Sequence, residues 1–434
     1  MLLGSKKNII FWYWAFSLTL VLILIVSRLF FSTTKIHYRA DTSIILEGSW
    51  RYQQGIFPAA DYPSVIGPIT PFFTFIGNVF FKNSLQSIDL GLCILFLLLS
   101  ILVLLASKNL NKITSLFALF SSGSFLIMER SLNYPAYNLY LALYNHIGLC
   151  FLFVFYFLLF QDENSNKTWS NLKLHVIAFL FSILFFTKIS YAFFALGAIV
   201  LYLIFRKNKP KNIALLSLLF VYTITISGVL IKFHFINYFS DFFHVLKNRF
   251  ILSIGNNFFT ILKLGLYNNA VIKQILYCVI TISLLSIKSK KIGIKRIFEL
   301  IYILITGIVC LGTITQPPEF AFESIIFIIV IGIVMSSIEG YVVKTVLILT
   351  LSIIPMKRML FNYNSLFKNS SLKIKNVNEF KLTDLKNRHK EVKDLIGKNG
   401  IKNNVLFVDF GNPYNFALKI PSTYQTPNYW HYGV

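Results

Sequence analysis

About eleven apolar runs, most of them long enough to cross a lipid bilayer, divide this sequence. A perpendicular transmembrane helix needs roughly 20 apolar residues, and the shorter runs come close to that length. We therefore predict an all-α polytopic membrane protein, a bundle of about eleven transmembrane helices. The runs lie at 9–30, 85–106, 111–128, 138–160, 172–187, 189–205, 212–231, 269–287, 297–315, 320–338 and 341–356.

The composition excludes an ordinary soluble domain. The chain is 56% hydrophobic and 13% charged, whereas a soluble globular chain averages about 25% charged residues. So little polar surface cannot cover so many apolar side chains, which makes lipid the expected solvent. The net charge of +24 would indicate nucleic acid in a soluble protein. Here the basic residues lie between apolar runs or in the tail, so we predict membrane lipids as their partners and no nucleic acid.

The basic residues also predict the topology. With eleven spans, the clusters at 6–7, 108–112, 206–211 and 288–296 all fall on one face, which the positive-inside rule assigns to the cytoplasm. Three long segments then lie on the external face: 31–84, 232–268 and 357–434. We expect a retained first helix and a multi-pass protein of the cytoplasmic membrane.

Two units are predicted. Residues 1–356 form the transmembrane domain, and residues 357–434 form an extracytoplasmic α/β appendage with a helix over 379–398 and a strand over 405–408. Within the first unit, two apolar runs meet at Thr187-Lys188 with almost no loop. This pattern predicts either two short helices joined by a tight turn or one broken helix.

The first external loop carries the densest polar pattern. Residues 42–54 predict a short amphipathic helix at the membrane interface, with Asp41 at its start. Ile44, Ile45 and Trp50 are expected to face lipid or protein, and Arg51 and Gln54 to face water. Glu47 is expected to be solvated or locally paired.

This loop resembles the GT-C superfamily of membrane glycosyltransferases. The resemblance rests on a long external loop after the first helix, with Asp41 near its start, then Gly55-Ile-Phe-Pro58 and a second acid, Asp61. Further segments are similar to a bacterial branch of this class: Tyr144-Asn-His-Ile-Gly148, Lys188-Ile-Ser-Tyr191, Asp409-Phe-Gly-Asn-Pro-Tyr-Asn-Phe-Ala-Leu418 and Tyr429-Trp-His-Tyr-Gly433.

The resemblance implies an inverting transferase that works at the external face. Its donor would be a polyprenyl-phosphate-linked sugar, and its acceptor an envelope glycan, a lipid or a protein. Asp41 matches the superfamily's catalytic carboxylate and would be the base. Thr42 and Ser43 follow it where many members carry a second acid. We therefore predict no metal and no cofactor, although a divalent metal would fit the chemistry of the class.

A departing phosphate also needs a cation near the external face. The candidates are Arg39, Arg51, Lys188 and Arg249. Lys188 stands between two apolar runs, where an ionisable group is costly and therefore indicates function. The alternative is that Lys188 extends to the external headgroups.

Four further residues are candidates for the acceptor or donor site: Asp61, His146, Trp430 and His431. Each has a structural alternative. Asp61 precedes Tyr62-Pro63, which is ordinary turn chemistry, and Asp41 itself suits a helix N-cap. His146 suits a hydrogen-bonding role, and the aromatic end of the tail suits docking rather than catalysis.

Two other classes of function remain open: a transporter or flippase for lipid-linked saccharides, and a non-catalytic membrane assembly protein. A transporter of this kind typically shows repeated halves and polar groups near the membrane midplane. The sequence has no such repeat, and its polar groups lie towards one face, which favours an enzyme.

Overall fold

The structure is a computed structural model. It describes residues 6–31, 39–64, 67–81, 85–106, 143–160, 167–205 and 209–243, together with isolated helical residues at 119, 126, 298–299, 301–302, 394 and 398. Over these residues the chain is mostly helical, and the one extended pairing among them is an isolated bridge between Pro58 and Tyr62. The prediction of a helical bundle is confirmed for this part of the chain.

Nine helices are defined in the described ranges. They are α1 (Lys6–Phe31), α2 (Arg39–Gln53), α3 (Ile69–Phe80), α4 (Leu85–Ala106), α5 (Leu143–Leu159), α6 (Lys167–Thr187), α7 (Ile189–Phe205), α8 (Lys209–Ile231) and α9 (235–243). Six of them coincide with predicted apolar runs, because long apolar stretches satisfy their backbone hydrogen bonds internally as helices. These six are α1, α4, α5, α6, α7 and α8.

The remaining predicted runs lie outside the described residues, apart from single helical residues at Leu119, Leu126, Phe298, Glu299, Ile301 and Tyr302. The appendage over 357–434 also lies outside them, except for Asp394 and Lys398, which are helical and fall within the predicted helix 379–398. The predicted strand 405–408 is not among the described residues.

Two of the described helices are long and apolar enough to cross a membrane, over Gln86–Leu105 in α4 and Pro210–Ile231 in α8. They differ in burial: two thirds of α4 (67%) is enclosed by the protein, compared with 22% of α8. The exposed surface of α8 carries large apolar side chains such as Ile213, Phe220 and Val229. A water-facing helix would carry polar residues there.

The helical conformation is interrupted at Lys188, which separates α6 from α7. These two helices form an antiparallel hairpin. Lys173, near the start of α6, lies over the ring of Tyr202, near the end of α7, with 6.0 Å from Nζ to the ring centroid. Of the two predicted arrangements, the structure contains the pair of helices joined by a tight turn.

The helices α2 and α3 also run antiparallel. Asn78 near the end of α3 contacts Ser49 of α2, and the Phe72 ring near the start of α3 packs edge-on against Tyr52, in the last turn of α2. Because a helix rises 1.5 Å per residue, the first turn of α2 lies roughly 16 Å along its axis from Tyr52. Asp41 lies in that first turn, so its backbone is separated from Tyr52 by this distance.

Candidate functional site

Three segments that are distant in sequence meet at one end of the bundle: the first loop, the α6–α7 turn and the segment that joins α8 to α9. Gly67 packs directly against the backbone carbonyls of Phe186 and Thr187, so closely that a Cβ at this position would collide with them. A side chain at residue 67 would therefore push the first loop away from Lys188. Together with the start of α5, these segments form a group that we call the first-loop end: residues 51–64, 67, 143–148, 185–191 and 230–241.

Hydrogen bonds fasten the first loop to the α8–α9 segment. They run from Tyr52 Oη to Leu230 O (2.9 Å), from Asn237 Nδ2 to Ala59 O (2.9 Å) and from Ser64 N to Asp241 Oδ2 (3.0 Å). From the same segment, Tyr238 Oη donates to Phe185 O, at 2.9 Å, in the last turn of α6. Two of the three contacts with the loop use its backbone atoms, Ala59 O and Ser64 N, so they hold the path of the loop as well as its side chains.

The buried tyrosines of this region are neutral donors. Burial raises the pKa of the Tyr52, Tyr62 and Tyr238 phenols well above the ordinary value of 10.0. The nearby carboxylate of Asp241 raises the pKa of Tyr238 further. These phenols therefore keep their protons across the physiological pH range, and the hydrogen bonds that Tyr52 and Tyr238 donate persist.

Lys188 lies at the tip of the α6–α7 hairpin within a cluster of polar and aromatic side chains. Its Nζ donates a hydrogen bond to Asn145 Oδ1, at 3.1 Å. The ammonium also lies 5.4 Å from the ring centroid of Tyr144 and 5.9 Å from that of Tyr191, within the range of cation–π attraction. Lys188 is half-buried. Such a group is suited chemically to bind an anionic oxygen, for example that of a phosphate.

The two sequence segments that frame this cluster fit together. Tyr191 Oη donates to Asn145 O at 3.2 Å and to its Oδ1 at 3.3 Å. The Tyr191 ring occupies the space that a Cβ at Gly148 would need. Two segments that the sequence analysis singled out independently therefore form one contact surface between α5 and the α6–α7 turn. They are Tyr144–Gly148 and Lys188–Tyr191.

Arg51 differs from the prediction, which placed it in water. It is 1% exposed, and its Nε donates to Glu47 Oε1 at 2.9 Å. Its guanidinium also lies over the Tyr62 ring, 4.4 Å from the centroid. Residues 44–52 are buried throughout, so this stretch of α2 has no water-facing side. The water-facing prediction is wrong because Glu47, one turn earlier, supplies the counter-charge that burial of a guanidinium requires.

The environments predicted for four residues in and directly after this helix are confirmed. Ile44, Ile45 and Trp50 are buried against protein, and Gln54 is exposed. Glu47 is locally paired, one of the two states expected for it.

Asp61 has the role expected of a turn residue. Its Oδ2 accepts a hydrogen bond from Phe57 N at 2.7 Å and lies 3.7 Å from Lys232 Nζ. Lys232 also lies over the Phe57 ring, 4.2 Å from its centroid. The carboxylate thus stabilises the tight path of the loop between α2 and α3.

Asp41 and Arg39 lie in the first turn of α2. Since the helix begins at Arg39, Asp41 stands inside that turn rather than at the N-cap. A carboxylate in the first turn is favoured by the helix dipole. The side chains of both residues lie outside the described part of the structure.

Of the remaining candidates, His146 is half-buried on α5, beside Asn145. Arg249, Trp430 and His431 lie outside the described residues. Among the residues that the structure describes, no group of three or more His, Cys, Asp or Glu side chains is placed to hold a metal ion.

Sequence reasoning missed Lys232, Tyr238 and Asp241. All three belong to the segment predicted to be external, 232–268, but nothing in their local pattern indicates contact with the first loop. The one available signal was their predicted location on the same face as that loop.

Comparison of the chain with protein-family models, with curated proteins and with solved structures finds no match in any of the three.

Proposed function

We propose that this protein is an inverting membrane glycosyltransferase that takes its sugar from a polyprenyl-phosphate carrier. The observation that supports the proposal most directly is the Lys188 cluster. It places a lysine ammonium among an amide and two aromatic rings, beside the loop that resembles the catalytic loop of the GT-C superfamily. A cation in this position suits the phosphate that leaves during transfer.

In the proposed reaction, the acceptor hydroxyl attacks the anomeric carbon as its proton passes to the Asp41 carboxylate. The bond between that carbon and the phosphate oxygen breaks, and its electron pair remains on the phosphate. The Lys188 ammonium stabilises the additional negative charge. The products are the glycosylated acceptor, with inverted configuration, and polyprenyl phosphate.

The apolar surfaces support a lipid-linked donor. Two described helices have the length and composition of membrane spans, and α8 exposes large apolar side chains along its length. A bundle of this kind, multi-pass in the cytoplasmic membrane, would give a polyprenyl chain access to the first-loop end from the bilayer. Envelope glycans, lipids or proteins would be the acceptors.

The test is sugar transfer by the purified protein in detergent micelles, using radiolabelled hexoses and pentoses carried on polyprenyl phosphate. Asp41→Asn should abolish transfer, because the proton acceptor is lost, and should lower the thermal unfolding midpoint only slightly, because one carboxylate at a helix N-terminus contributes little to stability. Asp162→Asn is the matched control, since the sequence places Asp162 in the opposite, cytoplasmic loop. A fully active Asp41→Asn protein would remove Asp41 as the base.

The proposal also makes a geometric demand: Asp41 and Lys188 must both reach one sugar phosphate. Spin labels at Thr42 and Ile189 in the donor-bound protein measure whether they do. A separation far beyond the length of a sugar phosphate would exclude their joint action. A protein that transfers no sugar but moves lipid-linked saccharides across liposome membranes would be a flippase instead.

A further inference from the structure

A second residue of the Lys188 cluster, Asn145, has a buried side chain whose orientation is determined by its neighbours. The residue is 3% exposed, and its Oδ1 accepts from both Lys188 Nζ and Tyr191 Oη. An ammonium has donors and no acceptor, so the amide oxygen, and not the amide nitrogen, must face Lys188.

The spacing of the two segments explains why they fit. On α5, Asn145 and Gly148 are three residues apart and share a face. Lys188 and Tyr191 have the same spacing, and Tyr191 N donates to Lys188 O at 2.9 Å, which closes the first turn of α7. Gly148 admits the Tyr191 ring, and the ring brings its hydroxyl to Asn145. The position of Asn145 therefore depends on Tyr191, and that of Lys188 depends on Asn145.

Three contacts of Lys188 in this cluster are made with neutral groups. An amide oxygen and two tyrosine rings orient an ammonium and stabilise its charge by hydrogen bonding and cation–π attraction. Unlike a carboxylate, these three contacts do not neutralise it. The bond to an amide differs in kind from the bond that the Arg51 guanidinium makes with the carboxylate of Glu47.

We propose that Asn145 is a positioning residue that holds the Lys188 ammonium, charged and oriented, towards the phosphate group of the lipid-linked donor. The inference rests on the proposed function for the identity of the anion. The coupling between Asn145 and Lys188 does not depend on that function and can be measured without any donor.

The first experiment is reductive methylation of the full-length protein in detergent micelles, with the rate at Lys188 followed by mass spectrometry. Only the neutral amine reacts. Asn145→Asp adds a carboxylate in the same shape, which favours the ammonium and should slow methylation about tenfold. Asn145→Leu removes the acceptor and should speed it by a similar factor. Lys232, also at the first-loop end, is the internal reference and should be unaffected.

Opposite directions for the two variants would support positioning. A residue that merely packs α5 against the α6–α7 turn would change the rate in the same direction in both variants, or in neither, and that result would overturn the inference. Asn78→Leu is the matched control, because Asn78 is also a buried amide that contacts a neighbouring helix. It should leave the methylation of Lys188 unchanged.

The second experiment measures binding of polyprenyl phosphate, with neutral polyprenol and with phosphatidylglycerol as competitors. Asn145→Asp should weaken the binding of polyprenyl phosphate about tenfold, and polyprenol should not compete. Competition by phosphatidylglycerol equal to that of polyprenyl phosphate would assign the cluster to lipid headgroups. If methylation responds as expected but polyprenyl phosphate does not bind, Asn145 positions Lys188 and the proposed donor is wrong. If methylation does not respond, the positioning role is wrong even in an active transferase.

Discussion

Two regions of the first-loop end hold a buried or half-buried cation, and they do so in opposite ways. At the end of α2, Arg51 is fully enclosed, bonded to Glu47 at 2.9 Å and covered by the Tyr62 ring. At the α6–α7 turn, Lys188 is half-buried and bonded to the neutral amide of Asn145 at 3.1 Å. Both residues are plausible phosphate ligands from sequence alone.

The difference lies in what each contact achieves. A carboxylate at hydrogen-bonding distance neutralises Arg51, and full burial excludes a ligand as large as a sugar phosphate. This arrangement stabilises the fold around α2. An amide orients Lys188 without supplying a negative charge, which suits a site for an anionic ligand. The ion pair with Glu47 favours a structural role for Arg51, and the proposed function keeps Lys188 as the phosphate ligand.

The largest expected effect comes from Lys188. Lys188→Met keeps the length and the apolar stem but removes the charge, so sugar transfer should fall by about a hundredfold or more, as when a catalytic electrostatic contact is lost. Transfer from the radiolabelled donors measures it. Lys232→Met is the matched control, because Lys232 is 47% exposed and also lies over an aromatic ring. Equal losses in the two variants would contradict the special role of Lys188.

The next effect concerns stability at Arg51. Glu47→Leu leaves the guanidinium buried beside an apolar side chain, and the free energy of unfolding should fall by about 3–5 kcal/mol. The double variant Glu47→Leu with Arg51→Met removes both charges and should recover most of that loss. Chemical unfolding in micelles measures all three proteins. If the Glu47→Leu variant is as stable as the double variant, the buried guanidinium does not need the Glu47 carboxylate as its counter-charge.

A smaller effect is expected where the first loop joins α8. Tyr52→Phe removes the hydrogen bond to Leu230 O and leaves a buried carbonyl without this donor, which should cost about 1–3 kcal/mol of unfolding free energy. Tyr222→Phe is the control, since its hydroxyl contacts His175 at an exposed position. If both substitutions have the same small effect, the contact between the loop and α8 contributes little.

Much of the fold could be predicted from local pattern. The apolar runs predicted six helices, and the near-absence of a loop at Thr187-Lys188 predicted a break. These predictions succeed because a run of apolar residues and its interruption are properties of adjacent residues. Ile44, Ile45 and Trp50 were placed correctly for the same reason.

The site was less predictable. Arg51 was predicted to face water because a charged residue on an amphipathic helix usually does, and only the folded chain shows that Tyr62 and the surrounding helices enclose it with Glu47. Lys232 and Asp241 were missed because their contacts, with Asp61 and Ser64, are with residues 171 and 177 positions away in sequence.

The sequence by itself determined the helical character of the chain, its apolar surfaces and the exceptional position of Lys188 between two apolar runs, since each depends on the kind and order of neighbouring residues. Only the tertiary structure decided which cation is paired with Glu47 and which is hydrogen-bonded to the amide of Asn145. That outcome depends on which helices pack together: α5 brings Asn145 to Lys188, while α2 and the first loop enclose Arg51.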